Sequence, residues 1–183
     1  MESHKEMMRF YLCESLRKLM LRQLFEKITI KQICDQAGVI RATFYNYFED
    51  KYDCLNTIVR LDFERILKNS TSHDSAEIVR DILATIDENR EFYRVAYSVV
   101  GQNSFEDMVR MNLARSLTEY FVDHRRPAVI EQYTNEFLGR YYAESLAFHI
   151  REYVFRKENT KDTHEVARNI LELLSVSLTD LLD

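Results

Sequence analysis

The residues best suited to chemistry in this 183-residue chain lie in Ile28–Leu55, ITIKQICDQAGVIRATFYNYFEDKYDCL. Arg41, Ala42, Thr43, Tyr45 and Asn46 fall on the outer face of what reads as the opening turns of a short helix. A guanidinium can take guanine through two hydrogen bonds, a carboxamide can take adenine, and Ala or a Thr methyl can pack on thymine. Thr29, Tyr45, Tyr47 and Lys51 carry groups suited to phosphate oxygens, contacts that position a protein on a duplex without reading its sequence. Other chemistries lack their residues. No GxxxxGK[ST], no HExxH and no Gly-rich nucleotide fingerprint occurs. His4, His73, His124, His149 and His164 are scattered, without the close helical spacing of a metal site. The chain is therefore not read as an enzyme, and neither cofactor nor metal is expected.

The elements that must hold these side chains are two short helices on either side of Ala37-Gly38-Val39, the pattern of a helix-turn-helix. Thr29-x-x-Gln32 has capping-box spacing and starts the first helix, which must stop at Gly38, a residue free to take positive φ. The second is expected over Arg41 to Tyr47. Ile33, Val39, Phe44 and Phe48 supply a small core, and Cys34, where the helices approach, reads as a small structural side chain rather than a redox group. In such a motif the N-terminal end of the second helix meets base edges in the major groove.

The rest of the chain is read as all-α. Three Gly and one Pro in a sequence that is 46% hydrophobic and 30% charged cannot punctuate a β-sandwich or barrel. A first helix is expected to open at Ser3, with Glu6 three residues on, and to run to about Phe25. Glu49-Asp50 gives an acidic start to a longer helix, and Asn69–Ser75 marks the best boundary, dividing the chain into 1–70 and 71–183. Further helices are expected around Ile78–Ile86, Glu91–Val100, Phe105–Phe121, Ala128–Lys157 and 163–182. The one near Ala128–Lys157 is apolar on more than one side.

Charge follows the same division. Residues 1–70 carry twelve Lys/Arg against ten Asp/Glu, and residues 71–183 thirteen against twenty, which makes the second half a poor surface for nucleic acid. Cys13, Cys34 and Cys54 have no CxxC spacing, no run approaches the length of a membrane span, and no signal segment opens the chain. A cytoplasmic protein that does not enter a membrane is expected.

The stretch AGVIRATFYNYFEDKYDCL with the preceding ITIKQI resembles the signature of TetR-family bacterial transcription regulators, over roughly residues 8–60. Turn, recognition helix and the following Phe48-x-x-Lys51 all fall in place. Glu88-Asn-Arg-Glu-Phe-Tyr93 also resembles the branch related to dihydroxyacetone-kinase regulators. The sequence departs from the family pattern at Ile40, where Ser or Thr is usual. An isoleucine there gives up a helix cap worth about 1 kcal/mol and a possible phosphate-contacting hydroxyl. Ser at position 40 is accordingly expected to tighten binding to DNA.

The resemblance implies an N-terminal three-helix DNA-binding domain followed by a larger helical domain for effector binding and dimerisation. It implies a sequence-specific regulator of transcription, most simply a dimeric repressor released from a palindromic operator in double-stranded DNA. The last two helices would pair with their copies, and the apolar side of the 163–182 helix, with Ser175 and Ser177 permitting close approach, agrees with a homodimer. Tyr97, Met108, Tyr120, Phe137 and Tyr141 would lie on helices that enclose the effector pocket, with Arg140 and His149 as possible ionic contacts. The alternative is a C-terminal half that recognises a partner protein in place of a small molecule. A packed core would favour that alternative, and an open cavity the small molecule.

Overall fold

A computed structural model describes residues 2–69, 75–124, 132–156 and 162–175. Apart from a 3-10 turn at Phe25–Lys27, the elements are α-helices: α1 (Glu2–Met20), α2 (Ile30–Ala37), α3 (Arg41–Tyr45), α4 (Lys51–Asn69), α5 (Ser75–Glu88), α6 (Arg90–Ala96), α7 (Phe105–His124), α8 (Asn135–Phe155) and α9 (Thr163–Ser175). No strand occurs among the described residues. Two compact units result. One joins Met1–Leu61 to Glu91–Met108, and the other joins Asp62–Arg90 to Val109–Asp183. Compactness thus divides the chain within α4 and groups α6 with the N-terminal helices, where a single cut near residue 70 was expected from composition.

In the first unit, α1 buries Leu12, Cys13, Leu16 and Met20 at helical spacing, and α4 buries Cys54, Leu55, Ile58 and Val59. The helix starts at Glu2, so Ser3 lies inside it rather than at its cap. It also stops five residues before Phe25. The Arg22 and Gln23 amides both turn back to the Leu19 carbonyl, at 2.9 and 3.1 Å, and a 3-10 turn follows. Phe25, fully buried in that turn, meets Tyr52 edge-on at 4.9 Å. Phe92 and Tyr93 of α6 and Phe105 of α7 add a second aromatic cluster to the same unit, with the Arg17 guanidinium 4.4 Å from the Phe92 ring centre.

In the second unit α5 packs on α8 and α9. The inner side of α8 is Leu138, Ala143, Leu146, Ala147, Ile150 and Val154. Gly139 belongs to the same side and lets α7 come very close. A Cβ there would stand 2.8 Å from the Ala114 carbonyl oxygen and 3.0 Å from the Thr118 nitrogen. The described part of α8 begins at Asn135, where Thr134 caps the Phe137 amide at 3.2 Å. Its expected start at Ala128, and the last turns of the terminal helix with Ser177, lie outside the described residues.

Candidate nucleic-acid interface and effector cavity

The helix-turn-helix forms from local rules. Thr29 and Gln32 make the capping box: the Gln32 amide donates to the Thr29 hydroxyl at 3.3 Å and the Thr29 amide to the Gln32 side-chain oxygen at 2.8 Å. Helix α2 ends at Gly38, which takes the left-handed conformation (φ 70°), and the Val39 amide returns to the Cys34 carbonyl at 2.9 Å. Ile33, Cys34, Phe44 and Phe48 are buried, while Val39 is half-buried. Burial pushes the Cys34 thiol above its ordinary range, against the pull of the Arg41 guanidinium, as befits a packing residue.

Helix α3 is shorter than the Arg41–Tyr47 expected. Asn46 caps it, and the amides of Tyr47 and Phe48 both fold back onto the Phe44 carbonyl. Arg41, Ala42, Tyr45 and Asn46 are exposed, and Thr43 and Tyr47 half-buried. Phe44 pins the opposite side, in contact with the rings of Tyr45 at 5.7 Å and Phe48 at 5.4 Å. A rigid scaffold therefore presents a guanidinium, a carboxamide, a methyl and a phenol to solvent over little more than one helical turn.

Lys51, expected at a phosphate, is half-buried, and its ammonium donates to the carbonyls of Phe25, Glu26 and Ile28 at 2.8, 3.0 and 3.0 Å. Three carbonyls take three N–H groups, so the charge ties the start of α4 to the segment that enters α2. Burial lowers its pKa, and the carboxylates of Glu26 and Asp50 act the other way. The Thr29 hydroxyl, also expected at a phosphate, is exposed as well as engaged in its cap.

The second unit holds a cavity of about 450 Å3. Ile78 and Val79 of α5, Leu117, Tyr120 and Phe121 of α7, Tyr142 and Leu146 of α8, and Leu171 and Leu174 of α9 line it. Of the expected pocket residues only Tyr120 is there, its phenol pushed up in pKa by burial. Tyr97 and Met108 belong to the first unit. Phe137 and Tyr141 face outward, in a stacked ladder with Tyr133 at 4.8 and 6.4 Å between rings. The phenol reaching inward from α8 is Tyr142, one residue on and about 100° around the helix. Arg140 is exposed and His149 is half-buried, its pKa lowered by burial against the opposing charge of Glu152, and neither lines the cavity. Among the described residues no group of His, Cys, Asp and Glu forms a metal site, and no helix is long and apolar enough to cross a membrane.

A buried-core helix-turn-helix with an exposed polar second helix, joined to a helical unit with a cavity, defines a DNA-binding regulator of transcription. The chain belongs to the TetR family: residues 14–58 match the family model for bacterial regulatory proteins of the tetR family, and residues 73–175 match that for a transcriptional regulator C-terminal region. A curated relative is the HTH-type dhaKLM operon transcriptional activator DhaS of Lactococcus lactis subsp. lactis (strain IL1403). It is 24% identical over 163 residues, covering 87% of this chain and 86% of that protein. The solved structure of a dihydroxyacetone kinase operon activator DhaS superposes with a TM-score of 0.65 at 22% identity, covering 91% of this chain and 93% of that one. A TetR-family regulator from Syntrophomonas wolfei gives 0.61 at 21% identity, covering 94% and 97%. The resemblance to the dihydroxyacetone-kinase branch read in Glu88–Tyr93 is thereby borne out.

Proposed function

We propose that the protein acts in the cytoplasm as a homodimer that binds a near-palindromic operator and is released from it by a small, mostly apolar effector. In this reading residues 1–70 bind DNA and residues 71–183 bind the effector and dimerise. Arg41 and Asn46 read bases through hydrogen bonds, Ala42 and Thr43 approach base edges, and Thr29, Tyr45 and Tyr47 contact phosphates. Lys51 is left out, since its ammonium is engaged within the chain.

The observation that carries the effector is the cavity of about 450 Å3 in the second unit. Its volume suits a small organic molecule, and its lining supplies aliphatic walls with phenols to orient one. A closed core would have favoured a partner protein instead. Dimerisation is supported by the outward aromatic stripe of α8, in which Phe137, Tyr141, Phe148 and Phe155 are 44–61% exposed, extended by Tyr133 just before the helix. A row of large rings left in water marks an interaction surface.

The test uses loss of DNA binding as its readout. Mostly apolar compounds are screened for release of the protein from its operator, and each hit is repeated on Leu146→Trp, whose larger ring intrudes on the cavity. A markedly weakened release of the variant, with DNA affinity unchanged, is the expected result. Release by every hit at the native effector concentration would place the effector elsewhere.

A further inference from the structure

Ile40 stands immediately before the recognition helix with 72% of its surface exposed. As the N-cap of α3 it has an extended backbone, φ −84° and ψ 157°, and makes no side-chain hydrogen bond. A Ser, Thr, Asp or Asn at that position would accept from a free amide of the first turn. Ile40 does not serve the helix in that way, and its exposure shows that it does not serve the core. Its branched hydrocarbon stands in water next along the chain to the exposed Arg41 and Ala42.

An apolar side chain so placed gains when association takes it out of water. Beside a phosphate it would gain nothing, because the oxygens there need donors. Against base edges the choice narrows to one group: the C5-methyl of thymine is the apolar feature of the major groove. The residues at the N-terminal end of a recognition helix are the ones that meet those edges.

We propose that Ile40 is a specificity-determining residue which packs on a thymine methyl in each half-site of the operator. The operator then requires a T·A pair at that position for its methyl group rather than for its hydrogen bonds. The assignment rests on reading α3 as the recognition helix. It also separates affinity from preference at this position. Ile40→Ser gains a cap and a hydroxyl but gives up the methyl contact, so it binds DNA more tightly while losing selectivity for thymine.

Deoxyuridine tests this, since it keeps every hydrogen-bonding group of thymidine and lacks only the methyl. Operator fragments selected from random duplex DNA are resynthesised with uracil at one thymine position at a time in both half-sites. For the native protein, one position should weaken binding by roughly fourfold per half-site, the worth of about one buried methyl group. Ile40→Ala should bind the thymine and uracil operators equally, and Ile40→Val should keep most of the discrimination. Circular dichroism melts of Ile40→Ala and Ile40→Val should coincide with the native protein, because the side chain is exposed and neither replacement caps the helix. Indifference of the native protein to uracil at every thymine would overturn the proposal, as would a full uracil penalty in Ile40→Ala. A failure of the recognition-helix reading itself looks different: Arg41→Ala would then leave all base preferences of the selected operator intact.

Discussion

The Lys51 ammonium lies 2.8 Å from the carbonyl oxygen of Phe25 and 4.6 Å from the centre of the Phe25 ring. One cation thus satisfies the backbone of the 3-10 turn and rests on the ring that the turn buries. Its two further bonds, to Glu26 and Ile28, fix the path of the chain into α2. Lys51→Met would leave three carbonyls without their charged donor and should destabilise the fold by about 1–3 kcal/mol, read from urea unfolding. The same variant separates this structural part from a phosphate contact. The logarithmic dependence of DNA affinity on salt should keep its native slope. A slope reduced by about one per subunit, with stability unchanged, would mean that Lys51 neutralises a phosphate after all.

Gly139 sets the separation of α7 and α8. A methyl group there would meet the Ala114 carbonyl and the Thr118 amide, both backbone atoms, and the Thr118 hydroxyl, which is itself bonded to Ala114 at 2.8 Å. Gly139→Ala should therefore cost about 1–3 kcal/mol through overpacking. Because Leu117, Tyr120, Tyr142 and Leu146 on these two helices line the cavity, effector response should weaken too. Thermal melts and effector titrations of DNA release measure the two effects. An unchanged melting temperature would show that the helices separate freely.

Asp87, near the end of α5, accepts hydrogen bonds from the Tyr153 hydroxyl and the Arg90 guanidinium, while Arg90 also donates to the Tyr153 carbonyl at 2.9 Å. Burial pushes the Asp87 carboxyl upward in pKa, but those bonds and the charges of Arg90 and Arg156 outweigh it and hold the pKa below the ordinary 3.8. A carboxylate whose pKa is depressed on folding adds stability above its unfolded value, and that stability is lost as pH falls through the folded one. Asp87→Asn should lower the melting temperature by a constant amount at neutral and mildly acidic pH. The difference from the native protein should close below about pH 4. A gap that stays constant to pH 2 would take the ionised carboxylate out of this junction.

These sites differ in how far the sequence exposes them. The helix-turn-helix is legible because its determinants are local: Thr29 and Gln32 are three residues apart, and Gly38 needs only its own φ. The Lys51 cradle is not, since its carbonyls lie 23 to 26 residues away and a lysine beside a DNA-binding motif suits a phosphate equally well. In α8 the difficulty is periodicity. A helix with rings on two sides does not reveal which side turns inward, so Phe137 and Tyr141 read as pocket residues although Tyr142 and Leu146 fill that place. The stop of α1 at Met20 was hidden similarly, because Phe25 continues the apolar pattern through a change of backbone.

The sense of regulation has its own test. With a reporter placed behind the selected operator, deletion of the protein should raise expression, as expected of a repressor that blocks the site. A fall in expression would instead align it with the Lactococcus lactis relative, which is by name an activator.

Selection of bound fragments from random duplex DNA, at a stated salt concentration, bears most directly on the reading of α3 in a dimer. The native protein should enrich a near-palindrome with half-sites about one helical turn apart, roughly 34–36 Å. Arg41→Ala should abolish a base preference in each half-site. Enrichment of no sequence, or of a site whose preferences survive Arg41→Ala, would contradict sequence reading by this helix.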